Sequence, residues 1–181
     1  MKLIYLDTNV ILTRYAPEEP QHKAAKKILR NVETGNLSAV TSVLTIVEVA
    51  SVISRAYKRF AKAGKIMKRK DITGAFLRRI MSIRNLHFIS AGGDISIEIE
   101  ESRVKLPALF AMAFEIALKV SVKTLDNLHL AAALISQRIY RQKIDYFTTL
   151  DKDILKRREK LKSFIGASVC TPAELVRTLK L

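Results

Sequence analysis

The chain has 181 residues, of which 49% are hydrophobic, and this is enough for one domain with a sizeable core. Its single cysteine, Cys170, excludes an internal disulfide, and with only three histidines it has no Cys/His zinc pattern, which fits a reducing cytoplasm. The net charge of +15 predicts a polyanionic partner, above all nucleic acid, with a basic surface that has no specific partner as the alternative.

Short apolar runs rich in β-branched residues alternate with longer stretches of helical periodicity, which is typical of βαβ units and a parallel sheet. The predicted strands are Lys2–Leu6, Leu37–Thr41, Leu86–Ser90, Asp145–Thr149 and Phe164–Val169. The predicted helices are Val10–Tyr15, Gln21–Glu33, Leu44–Lys62, Asp71–Ile83, Pro107–Val120, Leu125–Tyr140, Lys152–Leu161 and Pro172–Leu179. The sequence therefore predicts a single α/β domain over residues 1–181.

Two segments depart from this alternation. After Gly92 and Gly93, the isoleucines of residues 94–100 alternate with polar residues, which predicts a β-hairpin or another insertion at 92–105, with a helix as the alternative. Ala63 and Gly64 are expected to interrupt the helix that begins at Leu44.

The chain is expected to be a cytoplasmic protein without a membrane partner. Its longest mostly apolar stretch, residues 106–122, contains Pro107, Glu115 and Lys119 and is shorter than the roughly 20 residues that a membrane span needs. We also expect no signal peptide, because the apolar run at the amino terminus soon meets Asp7.

Asp7 directly follows the first predicted strand, at the point where the chain turns into a helix. Ligands of open α/β sheets bind outside the carboxyl ends of the strands, so a carboxylate there is placed to coordinate a metal or to start phosphoryl chemistry. The alternative is that Asp7 only caps the helix that follows.

Three further acids occupy comparable positions: Glu48 after the second strand, Asp126 at the start of a helix and Asp151 after the fourth strand. Each has a structural alternative. Thr45 and Glu48 have the spacing of a capping box, and a helical wheel places Glu48 opposite the apolar stripe, at the surface. Asp126 and Asp151 could simply stabilise helix N-termini. The joint placement of the four acids favours one acidic crevice.

Carboxylates packed this closely repel one another and raise one another's pKa unless a cation neutralises them. Mg²⁺ or Mn²⁺ would suit such a crevice, because hard cations prefer oxygen ligands. One or two of these ions could activate a water for the hydrolysis of a phosphodiester.

Four motifs of the chain, in their order and spacing, resemble the PIN domain family. They are LDTN at 6–9, TIVEVA at 45–50, LDNLHLAAA at 125–133 and FTTLDKD at 147–153. The resemblance covers nearly the whole chain and implies a three-layer α/β/α nuclease with a central, mostly parallel sheet of about five strands. Many prokaryotic members are VapC-type toxins that cleave RNA, so the resemblance also implies a small antitoxin protein as partner.

Position by position, the resemblance implies an acidic tetrad that is both catalytic and metal-ligating: Asp7, Glu48, Asp126 and Asp151. Asn9 and Thr149 resemble polar residues that support the ligands, and Asp153 resembles an auxiliary acid. The role of Glu48 comes from the resemblance and not from the helical wheel. The segment 92–105 is longer than the family pattern, and we expect it to change substrate access or to build the contact of a homodimer.

Residues 55–70 contain eight cations and two aromatic side chains. Arg55, Lys58, Arg59 and Lys62 are predicted to bind the RNA backbone, and the alternative is a solvated helix face whose aromatic residues point into the core. His129 lies one turn from Asp126, but a lone histidine at a helix edge is predicted to be structural rather than a general base.

The sequence therefore predicts a ribonuclease that depends on Mg²⁺ or Mn²⁺ and hydrolyses single-stranded or looped RNA. Its products should carry 5′-phosphates and 3′-hydroxyls, because this mechanism needs no attack by the 2′-hydroxyl. Two alternatives remain open. One is a non-catalytic RNA-binding module with a relic acidic site, and the other is a phosphohydrolase with Asp7 as covalent nucleophile, which Asn9 disfavours.

Overall fold

A computed structural model of the chain describes residues 1–61, 68–90 and 92–181, with the side chains of all of these except 57–61. The strands of the described part are β1 (Leu3–Leu6), β2 (Ser38–Ser42), β3 (Leu86–Ile89), β4 (Asp94–Ile99), β5 (Ser102–Pro107), β6 (Tyr146–Thr148) and β7 (Ser168–Cys170). Its helices are α1 (Thr8–Thr13), α2 (His22–Glu33), α3 (Leu44–Ala61), α4 (Arg69–Met81), α5 (Ala108–Lys119), α6 (Thr124–Arg138), α7 (Lys152–Lys156), α8 (Arg158–Ile165) and α9 (Pro172–Thr178). The interruption predicted at Ala63 and Gly64 lies outside the described residues.

Five parallel strands form the central sheet, in the order β3-β2-β1-β6-β7. Because successive side chains of a strand point to opposite faces, β1 divides its residues between two cores. Tyr5 packs with α5, α6 and α8 on one face, and Ile4 and Leu6 pack with α1, α2, α3 and α4 on the other. The predicted three-layer α/β/α fold with a five-stranded parallel sheet is confirmed.

The segment that departs from the alternation forms an antiparallel hairpin of β4 and β5. Ile95 packs against the core beside α5, and the backbone N–H of Ala108 donates to the carbonyl of Gly93 at 2.8 Å. The hairpin predicted at 92–105 is therefore confirmed, and it stands beside the central sheet instead of extending it.

Two predicted boundaries near the carboxyl terminus were wrong. Phe164 and Ile165 end α8 instead of beginning a strand, because Leu161 and Ile165 bury one helical face and Gly166 ends the helix in a left-handed conformation. The helix predicted over Lys152–Leu161 is split into α7 and α8 at Arg157.

None of the helices in the described ranges is long and apolar enough to cross a membrane.

Candidate metal and nuclease site

The candidate site lies at the carboxyl ends of β1 and β6, where the order of the strands reverses. From β1 the sheet continues through β2 and β3 on one side and through β6 and β7 on the other. Such a switch point leaves a crevice outside the strand ends, since the connections leave in opposite directions. The backbone N–H of Asp7 donates to the carbonyl of Thr148 at 3.0 Å, which fixes the two strand ends side by side.

Asp7 is buried at this junction, with 5% of its surface exposed. Its Oδ2 accepts hydrogen bonds from the hydroxyl of Thr149 at 2.6 Å and from the amide of Asn9 at 2.7 Å. Asp7 occupies the N-cap position of α1, but its side chain accepts no capping hydrogen bond from the described backbone of α1. Capping therefore does not explain this carboxylate.

Thr149 and Asn9 join the start of α1 to the loop after β6. The Thr149 hydroxyl accepts from the Asn9 amide at 3.3 Å and from the backbone N–H of Asp151 at 3.0 Å, and the Asn9 carbonyl oxygen accepts from the backbone N–H of Leu150 at 3.0 Å. Each of these two side chains thus contacts both Asp7 and the backbone of the loop that carries Asp151. Both residues contact Asp7, and the supporting role predicted for them stays a prediction.

Asp151 caps α7, as its structural alternative predicted. Its Oδ1 accepts from the backbone N–H groups of Asp153 at 2.7 Å and of Ile154 at 3.1 Å, which leaves Oδ2 outside the cap. Asp153 turns outward instead, with its Oδ2 3.6 Å from the Nζ of Lys123.

Glu48 faces the crevice, not the surface that the helical wheel predicted. Its side chain is 23% exposed, and its Oε2 contacts the hydroxyl of Thr8 and lies 2.7 Å from Nε2 of His129. The face of α3 opposite its apolar stripe is covered here by α1 and α6, which a wheel cannot take into account. Thr45 forms no capping box with it in the described helix, since its hydroxyl lies 2.9 Å from Thr8 and 2.7 Å from Thr41.

His129 is buried in the middle of this arrangement. Its Nδ1 lies 2.8 Å from the hydroxyl of Tyr5, and its Nε2 lies 3.8 Å from Oδ1 of Asp7 as well as beside Glu48. The prediction of a merely structural histidine missed this contact with two of the four acids. The signal available in the sequence was its spacing of three residues from Asp126, which places both on one face of α6.

Asp126, in the first turn of α6, carries the least satisfied carboxylate of the site. Its Oδ2 is buried and has no hydrogen-bond partner within the part of the chain that the structure describes. Burial, followed by the negative charges of Asp151 and Asp7, raises the pKa of Asp126 to about 6. The charges of Asp151 and Asp7 therefore act on Asp126 across the crevice.

Burial and neighbouring groups also shift the pKa values of Asp7, Glu48 and His129. Burial raises the pKa of Asp7, although the positive charge of His129 and the hydrogen bond from Thr149 act against it. Partial burial alone would raise the pKa of Glu48, but the hydrogen bond and charge of His129 hold it below its ordinary value. Burial opposes protonation of His129, yet the Glu48 hydrogen bond and the charges of Asp7, Glu48 and Asp126 raise its pKa.

The site fits a divalent cation in its chemistry, while its ligands are not preassembled. Carboxylate oxygens are the donors that hard cations prefer, and the unpartnered buried oxygen of Asp126 lacks the positive charge that a cation would bring. Among the described residues, no group of three or more His, Cys, Asp or Glu side chains has the geometry to hold a metal ion. The contacts of Glu48 with His129 use only Oε2, and the α7 cap uses only Oδ1 of Asp151, so each acid keeps a second oxygen outside these contacts.

A cavity of about 320 Å³ opens over Asp7, Glu48 and Asp126. Arg55, two turns after Glu48 on α3, lines it and is exposed. Lys123, directly before α6, is 72% exposed and acts on the charge of Asp126. Of the other cations predicted to bind RNA, Lys62 and the side chains of Lys58 and Arg59 lie outside the described residues.

The fold and site define a parallel α/β protein with an acidic crevice at its topological switch point. A family model described as PIN domain matches residues 4–161. The chain therefore belongs to the PIN domain family, as the four motifs indicated.

Among solved structures, the chain is similar to the VapC20 toxin of Mycobacterium tuberculosis, a sarcin-ricin loop cleaving toxin. The two are 14% identical with a TM-score of 0.49, and the match covers 84% of this chain and 93% of that one. No curated protein matches the sequence.

Proposed function

We propose that this protein is a ribonuclease that depends on Mg²⁺ or Mn²⁺ and hydrolyses single-stranded or looped RNA in the cytoplasm. The observation that carries the proposal is the convergence of Asp7, Glu48, Asp126 and Asp151 at the switch point of a PIN domain. The negative charges of Asp151 and Asp7 help to raise the pKa of Asp126, which supports a shared cation, since such a cluster is costly to charge without one.

The four acids would hold the cation, and each is supported differently. Thr149 and Asn9 fix one oxygen of Asp7, so its carboxylate is oriented before any ligand arrives. The cap of α7 fixes Oδ1 of Asp151 and leaves Oδ2 outside the cap. When bound, the cation would stabilise the negative charge that develops on the phosphodiester during hydrolysis. Asp153 stands one step outside this set, beside Lys123.

The rim of the crevice suits a flexible polyanion with unstacked bases. Arg55 and Lys123 supply positive charge on the α3 and α6 sides, where they can contact phosphates. Val47 and Leu125 line the same cavity and are exposed apolar side chains, 67% and 52% respectively. Apolar contacts of this kind favour unpaired bases, which can turn out of the RNA strand to meet the protein. Single strands and loops are therefore preferred over duplex RNA.

The proposal is tested with purified protein and end-labelled RNA in Mn²⁺ or Mg²⁺. We expect cleavage that a chelator abolishes and that Asp7→Asn reduces at least about 100-fold, because the best-oriented carboxylate is lost. The products should carry 5′-phosphates and 3′-hydroxyls.

The controls separate the alternatives. Cleavage that survives both the chelator and Asp7→Asn would rule out the metal site, and 2′,3′-cyclic phosphate ends would rule out the hydrolytic mechanism. RNA binding without cleavage would indicate a relic site.

A toxin role with a small antitoxin protein is the more specific part of the proposal. It is supported by membership of the PIN domain family, to which many prokaryotic VapC-type toxins belong. Expression of the wild type in a bacterial host should arrest growth, whereas Asp7→Asn should not, and a small gene directly upstream should encode the antitoxin. Unimpaired growth with active, soluble wild-type protein would contradict the toxin role.

We also propose a homodimer. Phe110 and Leu118 lie two turns apart on the same side of α5, and they are 52% and 72% exposed. Apolar side chains of this size on one helix face favour self-association. Light scattering should give twice the chain mass of 20.4 kDa for the wild type and the monomer mass for Leu118→Lys. A monomeric wild type would contradict it.

A further inference from the structure

A buried histidine connects the acidic crevice to the core beneath the sheet. His129 is 1% exposed, and each of its ring nitrogens has a partner, the hydroxyl of Tyr5 at 2.8 Å and Oε2 of Glu48 at 2.7 Å. Tyr5 in turn stacks on Phe147 in the next strand, with ring centroids 4.7 Å apart and the planes within 4°. The histidine is therefore held from a rigid part of the molecule.

The direction of the contact with Glu48 follows from the chemistry of the two groups. A carboxylate has no proton to donate, so Nε2 of His129 carries a proton and donates it to Oε2 of Glu48. The Tyr5 hydroxyl donates to Nδ1 when the ring is neutral and accepts from Nδ1 when the ring is protonated. In either form the ring presents an N–H to Glu48.

Glu48 needs such a donor more than the other acids do. It is carried on α3, part of its side chain is exposed, and its three side-chain torsions leave many orientations open. The contacts from His129 and Thr8 both use Oε2, which leaves Oε1 for a ligand in the cavity that Glu48 lines. Fixing one oxygen thus orients the other.

We propose that His129 is a positioning residue that orients Glu48 toward the cation, and that Tyr5 holds the His129 ring in the orientation that does this. The inference rests on the proposed cation site, and it extends that site from four acids to a chain of contacts reaching the core. Groups that orient metal ligands typically change metal affinity or activity about 10- to 100-fold when removed.

Mn²⁺ affinity of the chelator-treated protein, measured by calorimetry and by electron paramagnetic resonance, tests the inference without any RNA. His129→Leu should weaken Mn²⁺ binding about 10-fold or more, because it removes both hydrogen bonds while filling the core. His129→Gln, whose amide N–H can reach the position of Nε2, should recover most of that loss. Tyr5→Phe, which keeps the stacked ring, should fall between them.

A merely structural histidine gives a different pattern. If His129 only fills space, Leu and Gln should affect thermal unfolding and leave Mn²⁺ affinity equal to that of the wild type, and this result would overturn the inference. Failure of His129→Gln to bind Mn²⁺ better than His129→Leu, with both variants folded by circular dichroism, would also overturn it. His87→Leu, at an exposed histidine of β3, is the matched control and should bind as the wild type does.

The same measurements distinguish this inference from the proposed function. A wild type that binds Mn²⁺ but cleaves no RNA, with weakened binding in His129→Leu, would end the ribonuclease proposal and support the positioning role. An active wild-type enzyme whose Mn²⁺ affinity is unchanged by His129→Leu would support the ribonuclease proposal and overturn the positioning role. A wild type that binds no Mn²⁺ would overturn both.

Discussion

Asp126 combines an unpartnered buried oxygen with a pKa raised to about 6 by burial and by the charges of Asp151 and Asp7. An unfolded Asp releases its proton near pH 4, so between about pH 4 and 6 the folded chain binds more protons. The free energy of unfolding therefore falls as the pH rises through this window, and the cost is fully present above pH 6. Asp126→Asn should remove this cost and stabilise the metal-free protein by about 1 kcal/mol at pH 7.5, a value reduced for partial exposure.

Thermal unfolding in the presence of a chelator checks this effect at two pH values. The gain in stability from Asp126→Asn should be smaller at pH 5 than at pH 7.5, because at pH 5 the Asp126 carboxyl of the wild type is largely protonated. Glu98→Gln, at an exposed acid of the β4–β5 hairpin, is a control that should change little at either pH. A variant less stable than the wild type at pH 7.5 would show that Asp126 is not held at a cost.

Thr149 is the residue on which the orientation of Asp7 depends. Thr149→Val keeps the shape of the side chain but removes the donor to a buried carboxylate, and hydrogen bonds to charged groups contribute about 1.5 to 3 kcal/mol. We expect a loss of that order in urea denaturation, together with weaker Mn²⁺ binding. Thr148→Val is a closely matched control, because this neighbouring buried hydroxyl lies 4.0 Å from the sulfur of Cys170 and touches none of the acids. Equal stability of the two variants would contradict the role given to Thr149.

At the scale of elements, Gly166 decides where α8 ends and β7 begins. Its φ of +66° is left-handed, and a Cβ there would lie 3.3 Å from Oε1 of Gln137. Gly166→Ala should therefore lower the free energy of unfolding by about 1 to 2 kcal/mol in urea denaturation. Gly93→Ala is the matched control, since a Cβ at Gly93 would meet no described atom within 4 Å and its φ is not left-handed. A similar loss in both variants would show that the left-handed backbone is not the cause.

The end of α8 also illustrates why local sequence predicts some elements of the fold and not others. The strands at Leu3–Leu6 and Ser38–Ser42 and the β4–β5 hairpin were predicted because their composition or alternation distinguishes them locally. The end of α8 was not, because Phe164 and Ile165 are apolar enough for either a helix or a strand, and the choice depends on packing of Ile165 in the core. Periodicity alone cannot decide short apolar runs of this kind.

The site divides in the same way. Asp7 could be predicted from its place at a strand end, which depends only on local order. Glu48 could not be predicted from its helix, because what covers its face of α3 is brought there by α1 and α6. The contact between His129 and Tyr5 joins residues 124 positions apart, and no local pattern contains it.

For the molecule as a whole, the net charge of +15 and the acidic crevice have complementary effects. The positive field attracts a polyanion from any direction, whereas the negative crevice repels a phosphate unless a cation is bound or side chains on the rim hold the backbone. Productive binding should therefore depend on a few cations at the rim rather than on the total charge. Of the four cations predicted to bind RNA, Arg55 is the one whose side chain the structure describes, and it lines the cavity.

The salt dependence of RNA binding measures this distinction between rim and overall charge. In an Asp7→Asn background, which prevents cleavage, the slope of log K against log salt for single-stranded RNA counts the phosphates contacted at about 0.7 each. Arg55→Ala should reduce the slope by about 0.7 and weaken binding to all sequences alike, because a phosphate contact carries no base information. Arg30→Ala removes the same charge from an exposed position of α2 that does not line the cavity, and it should leave the slope unchanged. Equal losses from the two variants would mean that RNA responds to the overall charge of the protein, and that the crevice is not where its backbone is held.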